Sequence, residues 1–375
     1  HSRPRTRLLP LSALLCTALL AGCGGVPGGQ ITVSAGDFRS AYEQISALPK
    51  DQQRAKALEL AKKEGGTLSL YTSMTADIVE PVAKAFEKKY GIKVVSFRGN
   101  SETVLQRTLQ ELQARKPGAD AVETNFLEMT VLAGKGVLAD YAGPSLARVG
   151  KTGRFKHWTA SRFNVFLPAW NTRLIKPGHE PRSWEDLAKP EYKGKFTLEL
   201  SDSDWFANVT GYWLDHGKSQ AEVDSLWKRI AANGHTTKGH TTMMQFLTAG
   251  QTPMEAMNYT YITGRAAEQG APVAYLPKSG KSTIPAFARP NGVGMLGQAP
   301  HPASAWLFYD WLLAPDGGQR VIVDQHLTPS TKVPGDHSLD GITLAPFDVA
   351  GLSKDDGSWD RKYDALLRGV PQSGK

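Results

Sequence analysis

Cysteine is nearly absent, with 2 in 375 residues. Two thiols cannot build a disulfide-dense scaffold or a four-thiolate zinc site. The body also lacks any block of five like charges. Bases and acids are interleaved along it, which argues against a nucleic-acid partner despite a formal charge of +8. No apolar run reaches the ~20 residues that a membrane-crossing helix needs. Walker A, H-E-x-x-H and G-x-S-x-G motifs and a Cys/His pair are all missing, so bond-making chemistry is not expected. Gly292-Val-Gly-Met-Leu-Gly297 fits G-x-G-x-x-G. Pro290 precedes it and no helix opens within it, so it reads as a glycine-rich strand. His235 and His240 flank Lys238-Gly239. No third ligand lies at fitting spacing, so this stretch reads as an exposed loop rather than a metal site.

What is present is ordinary globular composition: 41% hydrophobic and 21% charged residues. At ~100–200 residues per domain, the length suits two domains. The chain opens with Arg3, Arg5 and Arg7, followed by an apolar stretch from Leu8 to Leu20 and then Ala21-Gly22-Cys23. A basic start, a short apolar core and small residues at a cut describe an export signal over 1–22. Leu20-Ala-Gly-Cys23 resembles the lipobox of bacterial lipoproteins, which implies lipid on Cys23. Loss of the signal would remove three arginines, no acid and Cys16, lowering the charge from +8 to +5. The Gly-rich stretch 23–36 reads as a tether, and helical periodicity over 37–65 predicts two short helices.

From Thr67 the pattern alternates. Strands at 67–71, 92–97 and 119–122 alternate with helices at 77–90, 101–115 and 126–136, which predicts an α/β fold with a mostly parallel sheet. A second block holds a strand at 196–200, then helices from Asp204 and near 220–232 and 242–249. The stretch 331–375 reads as a tail ending in a short helix. In open α/β sheets, ligands sit beyond the carboxyl ends of the strands, where helix N-termini favour anions. The corners are Thr72-Ser73, Asn100-Ser101 and Asn125, with Ser201 to Asp204 in the second block. Asp202 and Asp204 read either as helix caps or as partners for a cationic or polyhydroxyl group, with Trp205 as a stacking face. Trp170 and Trp184 read as packing residues.

An ordered series of segments then carries a resemblance. It comprises Leu70-Tyr-Thr-Ser73, Phe86-Glu-Lys-Lys-Tyr-Gly-Ile-Lys-Val94, Gly99-Asn-Ser-Glu102, Gly118-Ala-Asp120 and Leu132-Ala-Gly-Lys-Gly-Val-Leu138. It continues with Trp170-Asn171, Trp184-Glu-Asp-Leu187, Tyr192-Lys-Gly-Lys195 and Phe308-Tyr-Asp-Trp-Leu-Leu-Ala-Pro-Asp316. Over about 66–330 this resembles the solute-binding proteins of ABC importers, and most closely their ferric-iron-binding branch. The resemblance implies the type II periplasmic-binding-protein fold, with two α/β lobes closing on a small solute. Lobe 1 would comprise 66–155 and 286–330, and lobe 2 would comprise 156–285. It further implies delivery to an ABC permease and ATPase, and a monomer with no resident cofactor.

The family's iron sites use two tyrosines, a His and a Glu. Here the His position falls on Thr75, the Glu position on Asn125, and the tyrosine pair on Asn258-Tyr259-Thr260-Tyr261. On a strand Tyr259 and Tyr261 would share a face; on a helix they would diverge. Fe³⁺ as the transported ligand would therefore rest on Tyr259 and Tyr261. The alternative is a small oxyanion such as a phosphonate, a sugar phosphate or a carboxylate. It would be held by Ser73, Ser101 and Arg265, whose fork suits bidentate pairing. An exported hydrolase on the same lobes is the rival from another class.

Overall fold

The computed structural model describes residues 35–373. The expected signal, Cys23 and tether residues 24–34 lie outside the described residues, and the expected tether positions Ala35 and Gly36 instead open the first helix. Two helices, Ala35–Ser46 and Lys50–Lys63, precede the first strand. Alternation then runs Thr67–Thr72, helix Ala76–Tyr90, Lys93–Arg98, helix Ser101–Gln113, Ala121–Asn125 and helix Phe126–Gly134. The helix Ala76–Tyr90 buries Ile78, Val79, Val82, Phe86 and Tyr90, one stripe at helical spacing. Gly91, at φ 69°, ends it in the left-handed conformation that glycine adopts freely.

The principal sheet runs, by first residue, in the order 93, 67, 121, 286, 158, 254, 196, 234. The pairs at either end are parallel, as successive strand–helix units require. The middle is antiparallel and is built by two long strands, Trp158–Asn171 and Ala286–Leu296. These carry the sheet from the first half into the second, and they are buried almost throughout. Gly292 and Gly294 lie on the second of them, within the glycine-rich run read as a strand. A Cβ on Gly292 would stand 2.3 Å from Cε3 of Trp158, and one on Gly294 would stand 2.7 Å from Cε of Met129. Close packing here, not nucleotide binding, requires those glycines.

The second half holds Phe196–Glu199, helix Ser203–Asp215, helix Gln220–Asn233, Gly234–Thr237, helix His240–Thr248, Met254–Tyr259 and helix Thr260–Glu268. Ser219 and Glu222 form a reciprocal capping box on the second of these helices. The helix Pro302–Leu313 is buried on every side, and the Glu64 carboxylate accepts the amides of Ala303 and Ser304 at its start. Buried Asp310 on that helix accepts from Arg54, the Ser145 amide and Tyr141.

The tail is a strap rather than a loose end. Leu344-Ala345 pairs with Ala286-Phe287. Phe347 packs edge-on against Phe126 and Phe166, and the Asp348 amide donates to Asn208 at 2.8 Å. The helix Ser358–Leu367 then returns to the second half, where the Tyr363 hydroxyl donates to the Glu199 carbonyl at 2.8 Å.

Candidate functional site

Each half of the sheet ends in helix N-termini at the same cleft, because each helix starts where its strand stops. On the first side, Thr72 is buried and donates to Glu123 at 2.8 Å. The Ser73 amide donates to the Glu123 carbonyl, and the Ser73 hydroxyl oxygen is buried without a hydrogen-bond partner among the described residues. Thr75 caps the helix Ala76–Tyr90 by position. Asn125 holds the corresponding place before Phe126, and its amide oxygen accepts from Asn291 at 2.7 Å. Asn100 is exposed and spends its side chain on the Thr103 amide at 2.8 Å. Asn100 is therefore the cap, and Ser101 is the first helical residue.

The crossing strands add charged groups that pattern reading missed. Arg162 is buried beside Glu123, with Nε 3.3 Å from its carboxylate, and donates to Asn164 at 2.7 Å. Arg289 is buried too. It pairs with Asp204 at 3.0 Å, donates to the Tyr259 hydroxyl, and lies over the rings of Phe166 and Tyr259 at 5.3 and 5.2 Å. A lone arginine inside each otherwise uncharged strand was the signal available. Glu128, on the facing helix, is pushed up to about 7 by burial, with Arg289 working the other way.

On the second side, three expectations change. Trp205 is not a stacking face for a ligand. It is 1% exposed and packs between Trp184 and Trp227, because it points into the core one residue beyond Asp204. Trp184 is buried as expected and donates to the Pro285 carbonyl. Asp202 and Asp204 are not ordinary caps. Asp202 occupies the N-cap position, but its carboxylate makes no capping bond and instead meets His240 Nε2 at 3.2 Å. His240 is not in an exposed loop. It opens the helix His240–Thr248 and packs at a tilt against Tyr259, with ring centres 4.0 Å apart. His235 lies on the strand Gly234–Thr237.

Tyr259 ends a strand and Tyr261 sits in the first turn of the next helix. This junction brings their rings parallel, 5.9 Å apart with 9° between planes. Neither periodicity considered alone predicted that. Burial raises both phenols above their ordinary pKa, with Arg289 pulling Tyr259 the other way and Arg162 doing so for Tyr261. Asn258 is buried, donates to Glu255 at 2.7 Å and accepts the Tyr259 amide. Arg265 spans the cleft. Its guanidinium lies 2.6 Å from Asp77 on the helix Ala76–Tyr90. Both line a cavity of about 820 Å³ together with Thr75, Thr241 and Tyr261.

Burial also raises Glu199, with the Asp202 charge adding to it. For His240, burial works downward, yet the neighbouring Asp202 leaves it above its ordinary value. Asp204 is raised by burial against the pull of Arg289. The crossing strands and the second-side corner thus hold a lattice of buried charges, and the cavity is lined by Asp77, Arg265, Thr75, Thr241 and Tyr261 alongside apolar Met244 and Ile262. Such an arrangement orients and desolvates a small polar solute.

The comparisons agree with that reading. The family model described as bacterial extracellular solute-binding protein matches residues 82–337. The chain is 25% identical over 284 residues to the Fe(3+)-binding periplasmic protein of Serratia marcescens, across 74% of this chain and 82% of the relative. Iron-bound HitA from Pseudomonas aeruginosa superposes with a TM-score of 0.64 at 23% identity, over 81% of this chain and 99% of that one. AfuA from Actinobacillus pleuropneumoniae, with fructose-6-phosphate bound, gives 0.64 at 22% identity, over 80% and 96%. These structures carry the two-lobe type II periplasmic-binding-protein fold. With its cleft between α/β lobes and a family match over most of its length, the chain belongs to the bacterial extracellular solute-binding proteins.

Proposed function

We propose that this chain is the receptor of an ABC importer, held to the membrane by lipid on Cys23. It closes its lobes, 66–155 with 286–330 and 156–285, on a small solute bearing an oxyanion, such as a phosphate ester. It then hands the solute to a permease and its ATPase. The observation that carries this reading is the cavity of about 820 Å³ lined from both sides, with Arg265 on one wall and Thr75 on the other. Arg265 is the cavity's cation, and its fork suits a phosphate or carboxylate that could displace Asp77. Thr75, at the start of the helix Ala76–Tyr90, and Thr241 add hydroxyl donors on the cavity lining, while Ser73, Asn100 and Asn125 stand at neighbouring strand ends outside it. The AfuA neighbour, crystallised with fructose-6-phosphate, supports the same class.

A thermal-shift screen of phosphonates, sugar phosphates and carboxylates, run with EDTA present, tests this. At 100 times Kd a true ligand stabilises by ~2.7 kcal/mol. No shift anywhere in the panel would exclude the oxyanion class. A second reading is ferric iron on Tyr259 and Tyr261, favoured by their parallel stacking at 5.9 Å and by the iron-binding relative. Fe³⁺ would have to draw off the phenol protons against the burial that raises them. Ferric citrate should then produce a red phenolate-to-iron band, and a colourless protein at saturating iron refutes it.

A further inference from the structure

We propose that Glu199, Asp202 and His240 form a site for a divalent transition-metal ion in the wall of the second lobe, separate from the tyrosine pair. One ligand atom from each of the three lies within 4.8 Å of the others. Metal ligands ~2.1 Å from a common ion lie ~3–4 Å apart. The 3.2 Å between His240 Nε2 and Asp202 Oδ1 already has that span.

Satisfied hydrogen bonding does not account for the cluster. The Asp202 side chain is 3% exposed, and its Oδ2 has no hydrogen-bond partner among the described residues. His240 Nδ1 is likewise buried and unpartnered among them. Glu199 accepts the amides of Ser201 and Gly239, one on each carboxylate oxygen. Those bonds fix its orientation and leave a lone pair on each oxygen. Two buried carboxylates share one imidazole and so lack a full counter-charge, and the Arg289 guanidinium is engaged by Asp204 and Tyr259. A dication supplies it.

The ligand set selects the ion. An imidazole among carboxylates, with no thiolate, suits Zn²⁺, Mn²⁺ or Co²⁺ better than Mg²⁺ or Ca²⁺, which prefer oxygen alone. The cavity lies beside the site, since Thr241, the residue after His240, lines it, and an ion would enter from that side. The Tyr259 ring, tilted against His240 at 4.0 Å, walls the site, while its hydroxyl is taken by Arg289.

The test uses the full chain stripped with EDTA and then freed of chelator. It is titrated with Co²⁺ and Zn²⁺ in a calorimeter, and visible spectra are recorded for Co²⁺. One Co²⁺ per chain is expected, with d–d bands and no competition from Mg²⁺. H240Q and D202N should each weaken binding about tenfold or more. H235Q, a histidine outside the cluster, should leave it unchanged. Absent Co²⁺ binding, or equal affinity in wild type and a folded D202N or H240Q, overturns the proposal. If H240Q does not fold, D202N, isosteric with the native side chain, decides. Because the solute screen runs in EDTA and the iron band needs tyrosine, failure of either leaves this result standing, and the converse holds.

Discussion

Replacing Arg289 by methionine isolates the charge lattice of the cleft. The guanidinium is buried and has three attachments: Asp204 at 3.0 Å, the Tyr259 hydroxyl, and the faces of Phe166 and Tyr259. Methionine keeps much of the volume but leaves Asp204, 5% exposed, with only the Trp205 amide as donor to its Oδ1. Breaking a buried pair from one side costs about 3–5 kcal/mol. An independent ceiling comes from the carboxyl itself, which can escape by taking a proton. For a carboxyl of ordinary pKa near 3.9, that costs about 4 kcal/mol at pH 7. The two routes agree, so R289M should lose about 4 kcal/mol in urea unfolding followed by tryptophan fluorescence. R289M/D204N removes the stranded charge and should recover at least half of the loss. A loss below about 1 kcal/mol in R289M, or a double variant as unstable as the single one, would refute the view that these charges hold each other.

Other outcomes follow from single contacts. Burial pushes Glu255 up to about 8, while Asn258 pulls the other way. The folded state then keeps a proton that the unfolded chain releases above about 4.5, so stability falls as pH rises from there to about 8. E255Q should match wild type near pH 4 and exceed it by about 5 kcal/mol at pH 9; parallel pH curves would contradict this. Adding a methyl at Gly292 drives it to 2.3 Å from Trp158, so G292A should cost about 1–3 kcal/mol in denaturant unfolding, with a neutral result refuting tight crossing-strand packing. The Arg265–Asp77 pair is 22% and 54% exposed, so R265A and D77N should each cost only about 0.2–1 kcal/mol, and the double variant no more than the worse single. Additive losses would show that the two side chains act separately.

The alternating strand–helix pattern between Thr67 and Gly134 was legible because each helix carries its own apolar stripe and each strand its own β-branched or aromatic run. Those are local quantities. The helix Pro302–Leu313 carries equally local signals, since proline opens it and Ala-Pro-Asp-Gly-Gly closes it. Likewise Thr72, Asn125 and Asp202 stand at strand-to-helix corners, where the α/β pattern put them.

Sequence alone thus determined the fold class, the family resemblance and the corners at which a ligand could sit. Tertiary structure decided which way the side chains face. It turned Trp205 inward, and it carried Arg265 across to Asp77, 188 positions away in the chain. It set Tyr259 against Tyr261 at a junction of strand and helix, where neither period applies. Above all, it joined His240 to Glu199 and Asp202, partners that spacing along the chain could not supply. The physical reason is common to all four. A period along the chain fixes which face a residue occupies, but only the packing of one element on another fixes what that face meets. The scarcity of cysteine and the missing enzyme motifs removed chemistries, and the packed chain brought the remaining polar groups together at one cleft.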